Sequence, residues 1–185
     1  KKTFFQKSYN LISSLLFFGL ISFILNFALN LLVKLFGDFD IPSLDSTIII
    51  IQDKFSLLEN YTSQIATILI LVAISLIIIE FTQRMISDSI LNYFKSVYQT
   101  IRLRQFLRQD EKSESVITID NQTTVTKFNP ILKNFNQSVG KAIVDVRKES
   151  VVVFLKYPRT QQAQKLLRDM EAHIKEEISS RNPNY

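Results

Sequence analysis

Residues 65–81 read IATILILVAISLIIIEF, and this stretch decides the architecture of the chain. Its only ionisable residue is Glu80, close to its C-terminal end. In lipid a helix satisfies its own backbone hydrogen bonds, and about 20 residues cross a hydrocarbon core of about 30 Å. Counting outward to residues 62–82 reaches that length. We therefore predict a membrane-spanning helix here, with a buried core helix of a soluble protein as the alternative.

A second apolar run, residues 11–36, precedes this one and follows a basic start at residues 1–10. It is too long for a secretory signal core and no small-residue cleavage pattern follows, so we predict a retained first span. Asn26, Asn30 and Lys34 recur four residues apart and share one helix face. Because amides in lipid bond to neighbouring helices, we predict the two Asn residues as oligomer contacts. An ion or proton pathway is the alternative.

Charge is distributed unevenly around the two apolar runs. Residues 37–63 between them hold five acidic residues against the single base Lys54, a net charge of −4. Within them, residues 48–58 are amphipathic enough to lie at the membrane interface. Basic residues precede the first run and follow the second, from Arg84 to Arg108. Because cytoplasmic flanks retain Lys and Arg, we predict a multi-pass membrane protein with both termini cytoplasmic.

The residues after the second span have helical periodicity. Residues 85–108 lack Gly and Pro, and apolar residues recur at Ile86, Ile90 and Phe94. We expect the second span to continue without a break into a cytoplasmic stalk. The two spans cannot easily bury this stripe as well, so we predict the three apolar residues as oligomer contacts and the protein as a homo-oligomer.

The far end of the predicted stalk is basic, with Arg102, Arg104 and Arg108. We predict that these residues contact phosphate, either of membrane lipid or of nucleic acid. Their distance from the span favours nucleic acid over lipid, because electrostatic attraction decays over about 8 Å in physiological salt. Neutralisation by acidic residues of the adjoining linker, residues 109–115, is the alternative.

Beyond this charged linker the periodicity changes. β-Branched residues on both sides of Asp120-Asn121 predict one hairpin, and runs on both sides of residues 148–150 predict a second. The VVVFL run of the second hairpin, residues 151–155, should be buried on both faces. Asn129 and Thr160 are predicted N-caps, the latter of one helix from Gln161 to about Ser180. On this helix the apolar residues predicted to face the sheet are Ala163, Leu167, Met170, Ile174 and Ile178.

These elements define the predicted fold class. It is a membrane α-helical protein with two transmembrane helices and a small cytoplasmic α+β domain of order ββαββα. The predicted domains are a membrane anchor (1–84), a stalk (85–108), a linker (109–115) and the α+β domain (116–185). At about 70 residues this last domain is small enough that further chain or oligomerisation is commonly needed.

Composition argues against several kinds of chemistry. The chain has 185 residues, no Cys, one His and three Gly. Disulfides, thiolate chemistry and multi-histidine metal centres are therefore excluded, and no phosphate-binding Gly-rich loop can be written. Neither Glu80 nor His173 has neighbours in sequence that suggest a reaction. We predict no enzyme activity, no metal and no cofactor within these residues.

Three further stretches carry a resemblance: RLRQFLR (102–108), VVVFLKYP (151–158) and TQQAQKLLRDMEAHIKEEISS (160–180). Placed after two N-terminal spans, they resemble the membrane-proximal region of FtsK/SpoIIIE-like DNA translocases of Gram-positive mobile elements, including TcpA-like conjugative coupling proteins. The resemblance implies a hexameric assembly, with membrane lipid, DNA and an ATPase motor as partners. No GxxxxGK[ST] loop is present, so the motor would lie beyond Tyr185 or on another chain. A regulatory or structural membrane protein whose α+β domain docks a protein partner is the alternative.

Overall fold

A computed structural model describes residues 2–37, 45–111, 116–117, 123–124 and 129–183. The described residues form two compact units, Lys7–Glu80 and Lys1–Gln6 with Phe81–Tyr185. We call the first the hairpin unit and the second the α/β unit. The helices are α1 (Phe4–Gly37), α2 (Asp45–Ser87), α3 (Ile90–Leu107), α4 (Pro130–Val139), α5 (Gln161–Asp169) and α6 (Glu171–Arg181). The strands are β1 (Val116–Ile117), β2 (Thr123–Thr124), β3 (Ile143–Val146) and β4 (Val151–Phe154).

The two longest helices are apolar enough to cross a membrane, over Phe4–Phe36 and Ile48–Ser87. Their packing in the hairpin unit is antiparallel, because Gly19 lies against Ile70 whereas Phe36 stacks on Phe55 at 5.7 Å between ring centroids. A Cβ on Gly19 would come within 3.0 Å of the Ile70 side chain, so glycine permits this close approach. Helix α2 has 43 residues, about 64 Å.

Helix α2 begins earlier than the sequence predicts. Residues 45–63 were expected to lie in a connecting loop, but they form the first turns of α2. The continuous helix therefore extends the amphipathic stretch at residues 48–58 directly into the apolar run. Residues 38–44 lie outside the described part of the chain.

The predicted unbroken passage from the second span into the stalk is wrong. Helix α2 ends at Ser87 and α3 begins at Ile90 after an extended Ser89, with φ −119° and ψ 138°. The Asp88 carboxylate occupies the break, where it accepts from Arg84 on one side and from Asn92 at 2.7 Å on the other. One carboxylate thus fixes how α3 leaves α2.

The sheet of the α/β unit has two antiparallel strands, in which Ile143 pairs with Phe154 and Val146 with Val151. Strand β3 is buried at every position, whereas β4 is only partly buried and Val152 is 39% exposed. The prediction that the VVVFL run is buried on both faces is therefore wrong. Strand β4 pairs with one edge of β3, and helix α3 covers the other edge.

The first predicted hairpin is described only in part. Strands β1 and β2 pair antiparallel over two residues each and form a separate sheet. The rest of that hairpin, including Asp120-Asn121, lies outside the described residues. The order ββαββα stays a prediction.

Helices α4 to α6 cover the sheet. The predicted cap at Asn129 is confirmed, since its side chain accepts from the amides of Ile131 and Leu132. The predicted single C-terminal helix is wrong, because it is interrupted at Met170 between α5 and α6. The expected apolar stripe still packs on the core: Ala163, Leu167 and Ile174 are buried, with Met170 and Ile178 against them.

Of the predicted linker, residues 109–115, the structure describes residues 109–111, which contact α4. Asn136 of α4 accepts from the Gln109 amide at 2.9 Å and donates to the Gln109 carbonyl at 2.7 Å. It also donates to the Glu111 carboxylate at 2.9 Å. Residues 109–111 are thus held against α4 by one amide side chain.

Candidate functional site

Arg84, in the last turn of α2, is the centre of a buried ionic cluster. Its side chain is 1% exposed and forms an ion pair with Asp145 of β3. It also donates to the Val146 carbonyl at 3.0 Å and to Asp88 at 3.2 Å. Ion pairs removed from water are costly unless each charge is met by several partners, and here the guanidinium has at least three. The end of α2 is therefore fixed to the end of β3.

Aromatic rings enclose the same guanidinium. Arg84 Cζ lies 5.2 Å from the Phe5 ring centroid and 5.8 Å from that of Tyr93. The Phe5 and Tyr93 rings contact each other edge to face at 5.6 Å. A cation over aromatic faces is attracted most strongly when it is desolvated. Arg84 thus joins three parts of the α/β unit: the N-terminal segment, α3 and β3.

Asp145 is the counterpart of Arg84 within the otherwise apolar strand IVDV. Its side chain is 0% exposed, and its second oxygen pairs with Arg147 Nε at 3.0 Å. Our sequence reasoning identified neither Asp145 nor Arg84 as a site residue. The available signal was a lone carboxylate in a buried strand, because a buried charge requires a partner of opposite sign.

Side chains of α3 bind the edge of β3 that faces away from β4. Ser96 Oγ accepts from the Val146 amide at 2.9 Å, and Thr100 Oγ1 accepts from the Val144 amide at 3.0 Å. The Thr100 hydroxyl also donates to the Val144 carbonyl at 3.2 Å. The single Ser96 hydroxyl proton is directed at the Asn92 carbonyl at 2.6 Å, with the Val146 carbonyl at 3.3 Å as a longer second acceptor. A strand edge exposes unpaired amides and carbonyls. The hydroxyls satisfy these groups as a neighbouring strand would.

The opposite face of α3 is apolar and exposed. Ile90 is 36% exposed, Leu91 69% and Phe94 57%, and Ile86 at the end of α2 is 83% exposed. The first part of α3 is thus inverted relative to an ordinary surface helix, since its buried residues there are Asn92, Ser96, Gln99 and Thr100. Towards its C-terminal end α3 buries the apolar Leu103 and Leu107 in the core. The predicted oligomer contacts Ile86, Ile90 and Phe94 are all accessible, and we call them the apolar stripe.

The three predicted phosphate-contacting arginines have different surroundings. Arg104 is partly buried, and its Nε donates to the Ala142 carbonyl at 2.8 Å, next to the hydroxyl contacts of α3. Arg102 is exposed and its Nε donates to the Tyr98 hydroxyl at 3.2 Å. Arg108 is exposed at the C-terminal end of α3. The structure therefore leaves Arg102 and Arg108 more accessible than Arg104.

The Asn residues of the first span have partners within the chain. Asn26 Nδ2 donates to the Glu59 carbonyl and Asn30 Nδ2 to the Glu59 carboxylate, each at 2.8 Å. The two amides thus have a partner in the same chain, because Glu59 lies in the helical part of α2 that was predicted as loop. Asn26 and Asn30 therefore do not require a second copy of the chain to form hydrogen bonds.

A groove lies between β4 and the last two helices of the α/β unit. It has a volume of about 470 Å³. Its apolar lining comes from Val151, Val153, Leu155, Leu167, Ile174 and Ile178. Charged side chains of α5 and α6, among them Arg168 and Lys175, also line it. A cleft with an apolar floor and polar margins suits an apolar side chain or segment of a partner.

Within the described ranges, no three His, Cys, Asp or Glu side chains are placed to hold a metal ion. His173 is exposed on α6 and Glu80 is buried near the end of the hairpin unit. Comparison with protein-family models, with curated protein sequences and with solved structures finds no match. Function must therefore be argued from the contacts described above.

Proposed function

We propose that this chain is the membrane anchor and assembly module of a DNA-translocation or conjugative DNA-transfer machine and has no catalytic role itself. The observation that carries the proposal is the inverted helix α3. Its polar face forms hydrogen bonds with the edge of β3. Its exposed apolar face is therefore available for contacts outside the chain. Large exposed apolar patches commonly mark protein or membrane interaction sites.

The occupant we propose for the apolar stripe is a second copy of this chain. The stripe begins on α2 at Ile86 and continues on α3, so it belongs to the segment held by the buried Arg84 cluster. A rigid attachment of this kind limits the freedom lost on association and favours a defined assembly over loose contact. A ring of such copies, with six as implied by the resemblance, would surround a central path.

Proposed topology follows from the α/β unit. Gln6 Nε2, just before the first apolar run, donates to the Val152 carbonyl at 3.3 Å, and Phe5 contacts Tyr93. Residues 1–6, which precede the apolar run 11–36, thus belong to the same compact unit as Phe81–Tyr185. This supports both termini on one side of the membrane, and the Lys and Arg excess there favours the cytoplasm. A complete ββαββα domain belongs to the same proposal.

The role in DNA transfer rests on charge and on the resemblance to the translocases. Residues 86–185 hold sixteen Lys and Arg against eleven Asp and Glu, a net charge of +5. Arg102 and Arg108 are exposed where they can meet a polyanion. The ATPase motor would be supplied in cis beyond Tyr185 or in trans.

A second function has a specific observation in its favour. The groove beside β4 suits docking of a protein partner, as in a regulatory or structural membrane protein that never meets DNA. Docking at this groove would depend on Leu155 and Ile174, which are far in sequence from the apolar stripe. The two functions therefore predict different sensitive residues.

The test measures mass and DNA binding on the same preparation. The full chain is extracted into native nanodiscs, and its copy number is measured by mass photometry. We expect several copies for the wild type and a shift towards monomer for Ile86→Ser/Ile90→Ser/Phe94→Ser. Val152→Ser is the control, because Val152 is an exposed apolar residue of β4 outside the stripe.

The second measurement is the affinity for random-sequence DNA between about 50 and 200 mM salt, a range over which phosphate contacts weaken steeply. We expect Arg102→Glu/Arg108→Glu to bind more weakly than the wild type. A monomeric wild type contradicts the assembly role. An oligomer that binds no DNA contradicts the role in DNA transfer and favours the docking function.

A further inference from the structure

Three exposed cations, Lys141, Lys156 and Arg159, line a small cleft in the α/β unit. The cleft lies near the start of β3 and the end of β4, at the opposite end of the hairpin from its turn. Lys141 lies two residues before β3, and the other two follow β4. The remaining lining residues are neutral and polar or aromatic: Asn134, Gln137, Ser138 and Tyr157. Among the described residues that line this cleft, none is acidic. The cleft therefore concentrates positive charge beside neutral hydrogen-bond donors.

The two lysines are close enough to disturb each other. The Lys141 ammonium lowers the pKa of Lys156 below its usual value by charge repulsion, and partial desolvation lowers it further. Their side chains lie within hydrogen-bonding reach, and Arg159 and Lys2 add to the repulsion. Two ammonium groups are both donors, so neither can satisfy the other while both are charged. An anionic acceptor between them would satisfy both.

We infer that this cleft binds a phosphate group, either the headgroup of an anionic phospholipid or a free phosphate. Phosphate oxygens accept from Lys and Arg and equally from hydroxyls and amides, which is the donor set present here. Arg159 is held in place because its backbone amide donates to Asn134 Oδ1 at 2.9 Å. The site is separate from the arginines of α3 and does not require the proposed role in DNA transfer.

Lys2 connects the cleft to a lipid source. Its Nζ lies 3.8 Å from the Phe154 ring centroid, and its charge acts on Lys156. Lys2 stands two residues before α1, which is long and apolar enough to cross a membrane. A phospholipid headgroup therefore lies within reach of the chain, and attraction to an anionic surface raises affinity about fivefold per Lys or Arg close to it.

The test follows Lys156 directly in the full chain. Lysines are dimethylated with ¹³C, which preserves their charge, and the Lys156 signal is assigned by its loss in Lys156→Arg. Its pKa is measured in nanodiscs of phosphatidylcholine alone, in nanodiscs with added phosphatidylglycerol, and in phosphatidylcholine with inorganic phosphate. We expect the pKa to rise when the bound anion is present, because an adjacent negative charge favours the charged lysine.

The condition in which the Lys156 pKa rises identifies the source of the bound phosphate. A rise with phosphatidylglycerol alone assigns a lipid headgroup, and a rise with inorganic phosphate at millimolar concentration assigns a free phosphate. No rise in either arm overturns the proposal. A rise only on addition of random-sequence DNA also overturns it, since the partner is then a nucleic acid.

A second measurement tests whether the site or general charge is responsible. Phosphatidylglycerol retained by the detergent-purified protein is counted by native mass spectrometry. We expect affinity about 25-fold weaker for Lys141→Gln/Lys156→Gln, from a factor of about five per cation. The matched control, Lys148→Gln/Lys165→Gln, removes two exposed cations outside this cleft and should retain lipid like the wild type. Equal loss in both variants would overturn the proposal.

Discussion

Arg84 and Asp145 form an ion pair in which the two side chains are 1% and 0% exposed, although 61 positions separate them in sequence. Such a pair adds little net stability compared with a well-packed apolar pair, because both charges leave water. Removing one partner is costly, since the other charge stays buried. The pair therefore fixes one geometry between the end of α2 and strand β3.

The first prediction concerns this pair. Asp145→Ala should destabilise the α/β unit by about 3 kcal/mol, at the lower end for a broken buried pair because Arg84 keeps Asp88 and the Val146 carbonyl. Hydrogen exchange of the β3 amides in the full chain measures the loss.

Arg147→Gln is the matched control. Arg147 pairs with the same carboxylate but is 33% exposed, so its loss should cost less than about 1 kcal/mol. Equal protection of β3 in Asp145→Ala and the wild type would show that the pair does not hold the strand.

The second prediction tests the hydroxyls that bind the β3 edge. Thr100→Val keeps the shape of the side chain but leaves the buried Val144 amide and carbonyl without their side-chain partner. An unsatisfied buried group costs about 1 to 3 kcal/mol, so the Val144 amide should exchange faster by the corresponding factor. Ser87→Ala, which removes an exposed hydroxyl bonded to Gln83, should change stability by less than about 0.5 kcal/mol. Unchanged exchange at Val144 would contradict this assignment.

Which face of α3 is buried could not be predicted from the sequence. Periodicity at Ile86, Ile90 and Phe94 correctly indicated helix, but it does not tell which face turns inward. Apolar burial ordinarily decides that question. Here the edge of β3 that faces away from β4 decides it instead, and a strand edge 44 to 50 residues away in sequence leaves no trace in the local pattern of α3.

Predictions that depend on residues close together in the sequence were more accurate. The capping role of Asn129 and the core stripe through Ala163 and Leu167 depend on neighbours in sequence, and both were predicted correctly. The two long apolar helices were also predicted from composition alone. The Arg84 cluster depends on a contact across 61 residues, and Glu59 meets Asn30 across 29, so neither could be read from spacing.

The third prediction follows from the depressed pKa of Lys156. The folded pKa lies below the unfolded one, so at neutral pH both states are protonated and the repulsion from Lys141 acts in full. As pH rises through the folded pKa towards the unfolded pKa, the unfolded state binds more protons and stability increases.

Without a bound anion, Lys156→Gln should therefore raise the thermal midpoint of the α/β unit slightly at pH 7, and less at high salt. Lys165→Gln is the control, since Lys165 is an exposed lysine of α5 outside the cleft. A lower midpoint for Lys156→Gln would contradict the repulsion, provided that the Lys165→Gln midpoint stays at the wild-type value.

The fourth prediction concerns the hairpin unit. Asn30→Leu removes a hydrogen bond to the Glu59 carboxylate and should destabilise the helix pair by about 0.6 to 1.7 kcal/mol, the range for such bonds between helices in membranes. Because the partner is in the same chain, copy number should not change. Unfolding in a denaturing detergent and mass photometry measure the two effects. Loss of copies with an unchanged helix pair would restore the amide as an intermolecular contact.

The central claim is that the apolar stripe contacts a second copy of the chain. The protein has no native Cys, so one introduced Cys reports a single position. Ile90→Cys in native membranes should give dimers and higher species with a short bismaleimide. Glu149→Cys, an exposed position in the β3–β4 turn, should stay monomeric under the same treatment. Monomeric Ile90→Cys at full modification, or equal cross-linking of both variants, would contradict the claim.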